Sequence, residues 1–218
     1  MSEHHDLEAH DHDHHPHETS PDGAELHGHY QLMATALREL LLEKGLFSAA
    51  DLREATERMD ARSPALGASV VARAWVDPEF KKRLLADGSA ACRELGIEIG
   101  ALRLVVVENT ADVHNMIVCT LCSCYPRNLL GLPPDWYKNR RYRSRAVSEP
   151  REVLREFGTI VPDDIVVRVH DSTADMRYLV LPMRPAGTEG WSEERLASIV
   201  GRDSMIGVAF VGSHSSLG

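Results

Sequence analysis

The first third of the chain places its apolar residues at helical spacing. From Tyr30 onward, leucines, alanines and Met33 recur every three or four positions, and the pattern stops at Lys44-Gly45, a typical helix end. Ser48-Ala-Ala-Asp51 resembles a capping box and predicts a second helix through about Met59. Three more helices are predicted over Pro64–Trp75, from Asp77-Pro78 to Gly88, and over Ser89–Gly96.

Beyond residue 100 the pattern changes to short β-branched runs, which are typical of strands. The predicted strands are Leu102–Glu108, Met116–Val118, Ile165–His170, Arg177–Met183 and Ile206–Val211. Between them lie an irregular turn at Leu129–Pro134, an Arg-rich segment at Trp136–Arg145, and helices over Glu149–Phe157 and Ser192–Val200. We therefore predict an α+β fold, with an N-terminal helical arm over residues 30–96 and a mixed α/β body over residues 97–218, layered α-β-β-α.

Residues 1–29 have a different composition from the rest of the chain. They contain nine of the twelve histidines and eight acidic residues, but no Lys or Arg. So few apolar residues cannot form a core, and we expect a disordered His/Asp-rich tail. Collection of divalent metal is the alternative role for it.

Charge and apolar content exclude two classes of partner. The remaining residues carry 24 basic against 25 acidic side chains, so nearly all of the net charge of −9 belongs to the tail and no nucleic-acid partner is expected. No apolar run approaches the ~20 residues of a membrane span, and the polar start is not a signal peptide. Four cysteines do not form the framework of a secreted domain, which favours a reducing, cytoplasmic location.

The cysteines carry the strongest chemical signal. Three of them follow the spacing C-x-x-C-x-C, at Cys119, Cys122 and Cys124. A disulfide between such close neighbours is strained, whereas several thiolates on one loop suit a metal ion. A zinc site or an iron–sulfur cluster normally has four protein ligands, and the candidates for a fourth, Cys92 and His114, lack the usual pairing. A mononuclear centre completed by the backbone amides of Ser123 and Cys124 is the third interpretation.

The cysteine loop closely resembles that of a known family. Val118-Cys-Thr-Leu-Cys-Ser-Cys-Tyr-Pro126 is similar to the metal loop of the nitrile hydratase α subunit. The resemblance continues through Leu130-Gly-Leu-Pro-Pro134 and Asp171–Tyr178 to Arg202–Val208, and the helical arm also fits. It implies a non-corrinoid cobalt(III) or non-haem iron(III) centre, one ion per chain, held by the sulfurs of Cys119, Cys122 and Cys124 and the amide nitrogens of Ser123 and Cys124.

The resemblance also implies a metal, a modification and a reaction. Thr120 occupies a position where cobalt members carry Thr and iron members usually carry Ser, so we expect cobalt(III) rather than iron(III). The family oxidises its second and third cysteines to a sulfinate and a sulfenate, which identifies Cys122 and Cys124 as the expected catalytic residues. A trivalent metal with an open position can polarise a nitrile, and the expected reaction is hydration of a small nitrile to the amide.

Partners follow from the same resemblance. The family builds its pocket at the interface with a β-type subunit, and in some members that subunit is split into two chains. A cobalt-loading activator is a further expected partner.

A polar network is expected behind the metal loop. By position in the family, Asp171, Asp175 and Arg177 would orient the loop together with Thr120. The alternative is a surface turn, Asp-Ser-Thr-Ala-Asp, between two strands.

The substrate pocket is expected to include Arg127 and Trp136, with core packing as the alternative use of Trp136. In the family, Trp-Pro commonly follows the Tyr-Pro pair of the metal loop. Here Arg127-Asn128 follows Tyr125-Pro126, and an Arg at this position resembles the thiocyanate hydrolases. One alternative to a cobalt nitrile hydratase subunit is therefore the catalytic subunit of a thiocyanate hydrolase, forming carbonyl sulfide and ammonia, and another is a three-component nitrile hydratase acting on nucleoside nitriles. The His-rich tail suggests a further alternative, a non-catalytic protein of metal storage or delivery.

Overall fold

A computed structural model describes residues 23–60 and 62–212 of the chain. Most of the predicted tail therefore lies outside the described residues. The helices are α1 (Gly23–Glu43), α2 (Ala49–Asp60), α3 (Pro64–Val76), α4 (Pro78–Ala86), α5 (Gly88–Glu94), α6 (Arg127–Leu130), α7 (Asp135–Lys138), α8 (Arg140–Ser148), α9 (Pro150–Glu156), α10 (Glu193–Ser198) and α11 (Arg202–Ile206). The strands are β1 (Arg103–Glu108), β2 (Val113–Val118), β3 (Val166–Asp171) and β4 (Met176–Leu181).

The ends of the first helices follow the predicted signals. α1 begins at Gly23, earlier than Tyr30, and ends before Gly45, whose φ of 65° closes the helix in the left-handed region. The Ser48 hydroxyl accepts from the Asp51 amide at 3.1 Å, and the Asp51 carboxylate accepts from the Ser48 amide at 2.8 Å. This reciprocal pair confirms the capping box at the start of α2.

The strands form two separate parallel pairs. β1 pairs with β4, in a register that places Leu104 opposite Arg177, and β2 pairs with β3, with Val118 opposite Asp171. Because parallel strands end at the same edge of a sheet, the loop after β2 and the loop after β3 begin side by side. That edge carries the cysteines. The α+β class is confirmed, and the α-β-β-α layering stays a prediction.

The segment after the cysteine loop is anchored in the core. α6 buries Leu129 and Leu130 completely and packs against α3. Gly67 of α3 allows this approach, because a Cβ there would lie 2.8 Å from the Leu130 side chain. Burial of two whole leucines contributes about 3–6 kcal/mol, so the residues that follow the cysteines have a fixed position.

The predicted strand Ile206–Val211 is wrong. Ile206 ends α11, and Gly207 follows with φ 87°, in the left-handed region. The amides of Gly207, Val208 and Ala209 all donate to the Asp203 carbonyl, so a helix cap satisfies them instead of a neighbouring strand. The apolar run resembles a strand because Val208 and Ala209 are buried in the core.

The chain divides into two compact units, one ending at Glu54 and one beginning at Ala55. The second unit contains the four strands and the cysteine loop. The domain boundaries given from the sequence remain predictions. No helix in the part of the chain that the structure describes is long and apolar enough to cross a membrane.

Candidate metal centre

The three cysteines of the loop converge directly after β2. Cys119 Sγ lies 3.5 Å from Cys122 Sγ, which lies 3.3 Å from Cys124 Sγ, and all three sulfurs lie within 4.8 Å of one another. The Cys122 amide donates to Cys119 Sγ at 3.3 Å and tightens the turn between them. All three are free thiols, so the loop offers three soft ligands to one ion.

The backbone of the loop is compatible with amide ligation. The amides of Ser123 and Cys124 lie near the Cys122 sulfur, where they help to lower the pKa of that thiol. Neither donates to a backbone carbonyl within the described residues. The donor set of three sulfurs and two amides therefore fits a mononuclear centre.

The candidate fourth ligands lie elsewhere. His114, at the start of β2, is held by the Gly207 carbonyl at 2.8 Å from its Nε2, and burial lowers its pKa. Cys92 is fully buried in α5, which raises the pKa of its thiol to about 12. Among the described residues neither joins the group formed by the three loop sulfurs.

Asp171 fixes the first turn of the loop. Its carboxylate accepts from the Thr120 amide at 3.0 Å and from the Thr120 hydroxyl at 2.5 Å. These contacts follow from the parallel register, because Asp171 is the last residue of β3 and lies opposite Val118. Charge-assisted hydrogen bonds of this kind are stronger than neutral ones.

Tyr137 of α7 supports the other end of the loop. Its hydroxyl donates to the Cys124 carbonyl at 2.9 Å, and its ring is fully buried against Tyr125 at 5.0 Å between centroids. The Tyr125 hydroxyl is also buried but has no hydrogen-bond partner among the described residues. Burial raises the pKa of both phenols, so both remain protonated donors.

Helix α8 supports the middle of the loop. The Tyr142 hydroxyl donates to the Ile117 carbonyl at 2.8 Å and ties the helix to β2. Arg143 Nη1 donates to the Cys122 carbonyl at 2.8 Å and to the Thr120 carbonyl at 3.4 Å. The sequence alone did not identify Tyr137, Tyr142 or Arg143 as part of the site. The available signal was the mixture of Tyr and Arg at helical spacing just after the cysteines.

The thiols differ in acidity. The pKa of Cys122 is lowered to about 7, mainly by hydrogen bonding with the Cys124 thiol and then with the Cys119 thiol. Burial raises the pKa of Cys124 to about 12, and the same contact with Cys122 adds to the rise. Cys122 is also the exposed member of the three. Cys122 is therefore more available as a thiolate near neutral pH than Cys124.

A cavity of about 360 Å³ opens beside the cysteines. Cys122, Ser123 and Cys124 line it, together with apolar side chains that include Ile99, Leu102 and Leu104. Three arginines also line the cavity, Arg62, Arg127 and Arg177. The cavity thus combines an apolar wall with positive charge next to the sulfurs.

The structure places some of the residues expected around the loop at the cavity and others away from it. Arg127 and Arg177 line the cavity, and the positive charge of Arg177 slightly lowers the pKa of Cys124. Asp175 is exposed, and its backbone carbonyl accepts from the Arg103 amide at 2.9 Å. Trp136 does not line the cavity in the described structure; its ring packs edge to face against Phe157 and Tyr142, at 4.7 and 4.9 Å between ring centroids.

Fold and site together define an α+β chain that carries a three-thiol loop at the carboxyl end of a parallel strand. Comparison with known proteins agrees: the family profile "Nitrile hydratase, alpha chain" matches residues 28–209. The chain is 54% identical over 185 residues to the low-molecular weight cobalt-containing nitrile hydratase subunit alpha of Rhodococcus rhodochrous, covering 80% of this chain and 85% of that protein.

Two further similarities extend the comparison. The chain is 43% identical over 192 residues to the thiocyanate hydrolase subunit gamma of Thiobacillus thioparus, covering 83% of this chain and 79% of that protein. A solved double mutant of the Fe-type nitrile hydratase from Comamonas testosteroni Ni1 superposes with a TM-score of 0.79 at 42% identity, covering 87% of this chain and 92% of that chain. The chain belongs to the nitrile hydratase alpha chain family.

Proposed function

We propose that this chain is the metal-bearing catalytic subunit of a cobalt nitrile hydratase, which hydrates a nitrile to the corresponding amide. The observation that carries the proposal is the convergence of Cys119, Cys122 and Cys124 within 4.8 Å beside a cavity of substrate size. The 54% identity to a subunit named as cobalt-containing supports cobalt rather than iron.

The loop supplies the ligands in this proposal. The sulfurs of Cys119, Cys122 and Cys124 and the amide nitrogens of Ser123 and Cys124 would hold one cobalt(III) ion per chain. Cobalt supplies Lewis acidity, which withdraws electrons from a nitrile and makes its carbon open to attack by water. We further propose that an external oxidant, dioxygen or a peroxide, oxidises Cys122 by four electrons to a sulfinate and Cys124 by two electrons to a sulfenate, and supplies the added oxygen atoms. The exposure of Cys122 and the lowered pKa of its thiol support its oxidation.

The cavity orients the substrate in this scheme. Ile99, Leu102 and Leu104 offer an apolar surface for the organic group of a nitrile, and the cyano end then faces Cys122 and Cys124. A cavity of about 360 Å³ suits a small nitrile, because it lies at the low end of known ligand pockets.

We propose a β-type partner, as one chain or two, that covers the exposed side of the loop. Leu121, at the tip of the loop, is 89% exposed, and Val147, which lines a shallow cavity together with Leu121, is also exposed. Apolar side chains grouped around a reactive site indicate a contact surface rather than a solvated face. A cobalt-loading activator and a cytoplasmic location complete the proposal, and the four free thiols support a reducing compartment.

The direct test uses the full chain purified from its own host with the subunits that it retains. Elemental analysis should give one cobalt per chain, and mass spectrometry of the loop peptide should find added oxygen on Cys122 and Cys124. The complex should convert a small nitrile to its amide. Zinc in place of cobalt, with unmodified cysteines and no amide product from the complex, would contradict the proposal.

Hydrolysis of thiocyanate is the second candidate function. Arg62, Arg127 and Arg177 place three positive charges around the cavity, which favours an anionic substrate over a neutral one. The 43% identity to a thiocyanate hydrolase subunit supports it as well. Assay of the same complex with thiocyanate separates the two, because carbonyl sulfide and ammonia would form instead of an amide.

A further inference from the structure

The side chain of Arg143 donates hydrogen bonds to the backbone of the cysteine loop. It lies one turn into α8 and donates through Nη1 to the Cys122 carbonyl at 2.8 Å and to the Thr120 carbonyl at 3.4 Å. Arg145 on the same helix forms ordinary ion pairs with Glu149 and Glu156. Arg143 therefore binds backbone carbonyls, whereas Arg145 binds carboxylates.

The contact has a consequence for the next amide. The Cys122 carbonyl and the Ser123 nitrogen belong to one peptide group, and in a trans peptide the oxygen and the N–H point in opposite directions. A donor that holds the oxygen toward α8 therefore turns the Ser123 N–H the other way. In agreement with this direction, the Ser123 amide lies near the Cys122 sulfur and helps to lower the pKa of that thiol.

We propose that Arg143 is a positioning residue that orients the Cys122–Ser123 peptide, so that the Ser123 nitrogen faces the space between the sulfurs where the metal binds. The inference rests on the proposed function, since it assigns a role to Arg143 only if Ser123 is a ligand. Arg143 does not line the described cavity beside the sulfurs, and its role follows from the carbonyl contacts.

Helix α8 holds the backbone of Arg143 in a fixed position. The Tyr142 hydroxyl binds the Ile117 carbonyl, Ala146 is fully buried, and the Asn139 side chain caps the helix by accepting from the Arg141 amide at 2.8 Å. A guanidinium is planar, permanently charged and able to donate to two acceptors at once. It can therefore hold two loop carbonyls, whereas a lysine would hold one of them well.

The test compares three variants of the full chain, each purified from its host with the subunits that it retains. Arg143→Met keeps the length of the side chain and removes every donor. Arg143→Lys keeps the charge and one point of contact. Arg141→Met is the matched control, because Arg141 is exposed on the same helix. For each, cobalt per chain, the rate of cobalt loss to excess chelator, the visible sulfur-to-cobalt absorption and the melting temperature are measured.

We expect Arg143→Met to lose cobalt about 10- to 100-fold faster than the wild type and to shift the absorption band, as supporting residues of metal sites usually do. The rate of cobalt loss from Arg143→Lys should lie between those of the wild type and Arg143→Met. The rate for Arg141→Met should match the wild type. Wild-type retention and an unchanged band in Arg143→Met would overturn the inference, and so would an equal loss in Arg141→Met. If Arg143→Met fails to assemble, the band of Arg143→Lys decides, since an unchanged band refutes the role.

The two proposals fail in different ways. A wild-type complex without cobalt refutes the proposed metal centre itself. A wild-type complex that binds cobalt, together with an Arg143→Met variant that binds it equally well, leaves the proposed function intact and refutes only the role of Arg143.

Discussion

Two tyrosines beneath the cysteine loop offer a controlled test of the site geometry. Tyr137 and Tyr125 are both buried and contact each other edge to face at 5.0 Å between ring centroids. The Tyr137 hydroxyl donates to the Cys124 carbonyl, whereas the Tyr125 hydroxyl is buried without a partner in the described structure. Replacement by Phe removes one oxygen atom in each case and leaves ring packing intact.

The expected changes in stability have opposite signs. Tyr137→Phe loses a hydrogen bond and leaves a carbonyl without its donor, which should lower the free energy of unfolding by about 1.5 kcal/mol. Tyr125→Phe removes a hydroxyl whose burial without a partner costs about 1–3 kcal/mol, so stability should be unchanged or should rise by up to about 1 kcal/mol. The two variants should thus differ by about 2 kcal/mol.

Urea unfolding of the purified complex, followed by circular dichroism, measures this difference. Tyr137→Phe should also lose cobalt to a chelator faster than the wild type, because the Cys124 end of the loop is released, and Tyr125→Phe should not. Equal stability losses in the two variants would refute the hydrogen-bond assignment. A greater loss in Tyr125→Phe would show that its hydroxyl, not that of Tyr137, supports the loop.

Three further predictions concern the backbone, the thiols and the carboxylate. Gly207→Ala should cost about 3–5 kcal/mol in a denaturation experiment, since φ is 87° and the new Cβ would lie 2.0 Å from a carbonyl oxygen of β2. Gly201→Ala, with nothing within 4 Å of its Cβ, should stay within about 0.5 kcal/mol of the wild type, and similar losses in both would contradict the clash. In metal-free protein, iodoacetamide should modify Cys122 half-maximally near pH 7, because the reactive thiolate is present above its pKa of about 7 and is lost below it. Cys124, with its pKa raised to about 12, should react only at much higher pH, and peptide mass spectrometry showing the reverse order would refute the assignment. Asp171→Ala removes both contacts to Thr120 and should lower cobalt retention about tenfold, so a variant with wild-type retention would exclude this carboxylate from the site.

The convergence of the three cysteines was predictable from the sequence because they lie on one short loop. The spacing of Cys119, Cys122 and Cys124 is local, and local geometry is largely set by neighbours in the chain. Capping signals were equally local, and the capping box at Ser48 was predicted for the same reason. Such patterns need no knowledge of how distant segments pack.

The supports of the loop could not be predicted in the same way. Arg143 lies in the Arg-rich segment Trp136–Arg145, and its local sequence pattern does not distinguish it from the neighbouring arginines. Its contact depends on where α8 packs against the end of β2, and that packing is decided by buried residues such as Tyr142. The strand expected at Ile206–Val211 failed for a related reason, because burial alone accounts for its apolar side chains.

The parallel pairing of β2 with β3 has a consequence for the order of biosynthesis. The three thiols leave the ribosome almost together, but Asp171, which fixes Thr120, is synthesised 51 residues later. A nascent chain that ends between them presents thiols on a loop without this restraint. Correct metal insertion should therefore begin only after β3 has been made and has paired with β2. Any metal bound by the three thiols before that point would be held by a loop that lacks the Asp171 contacts.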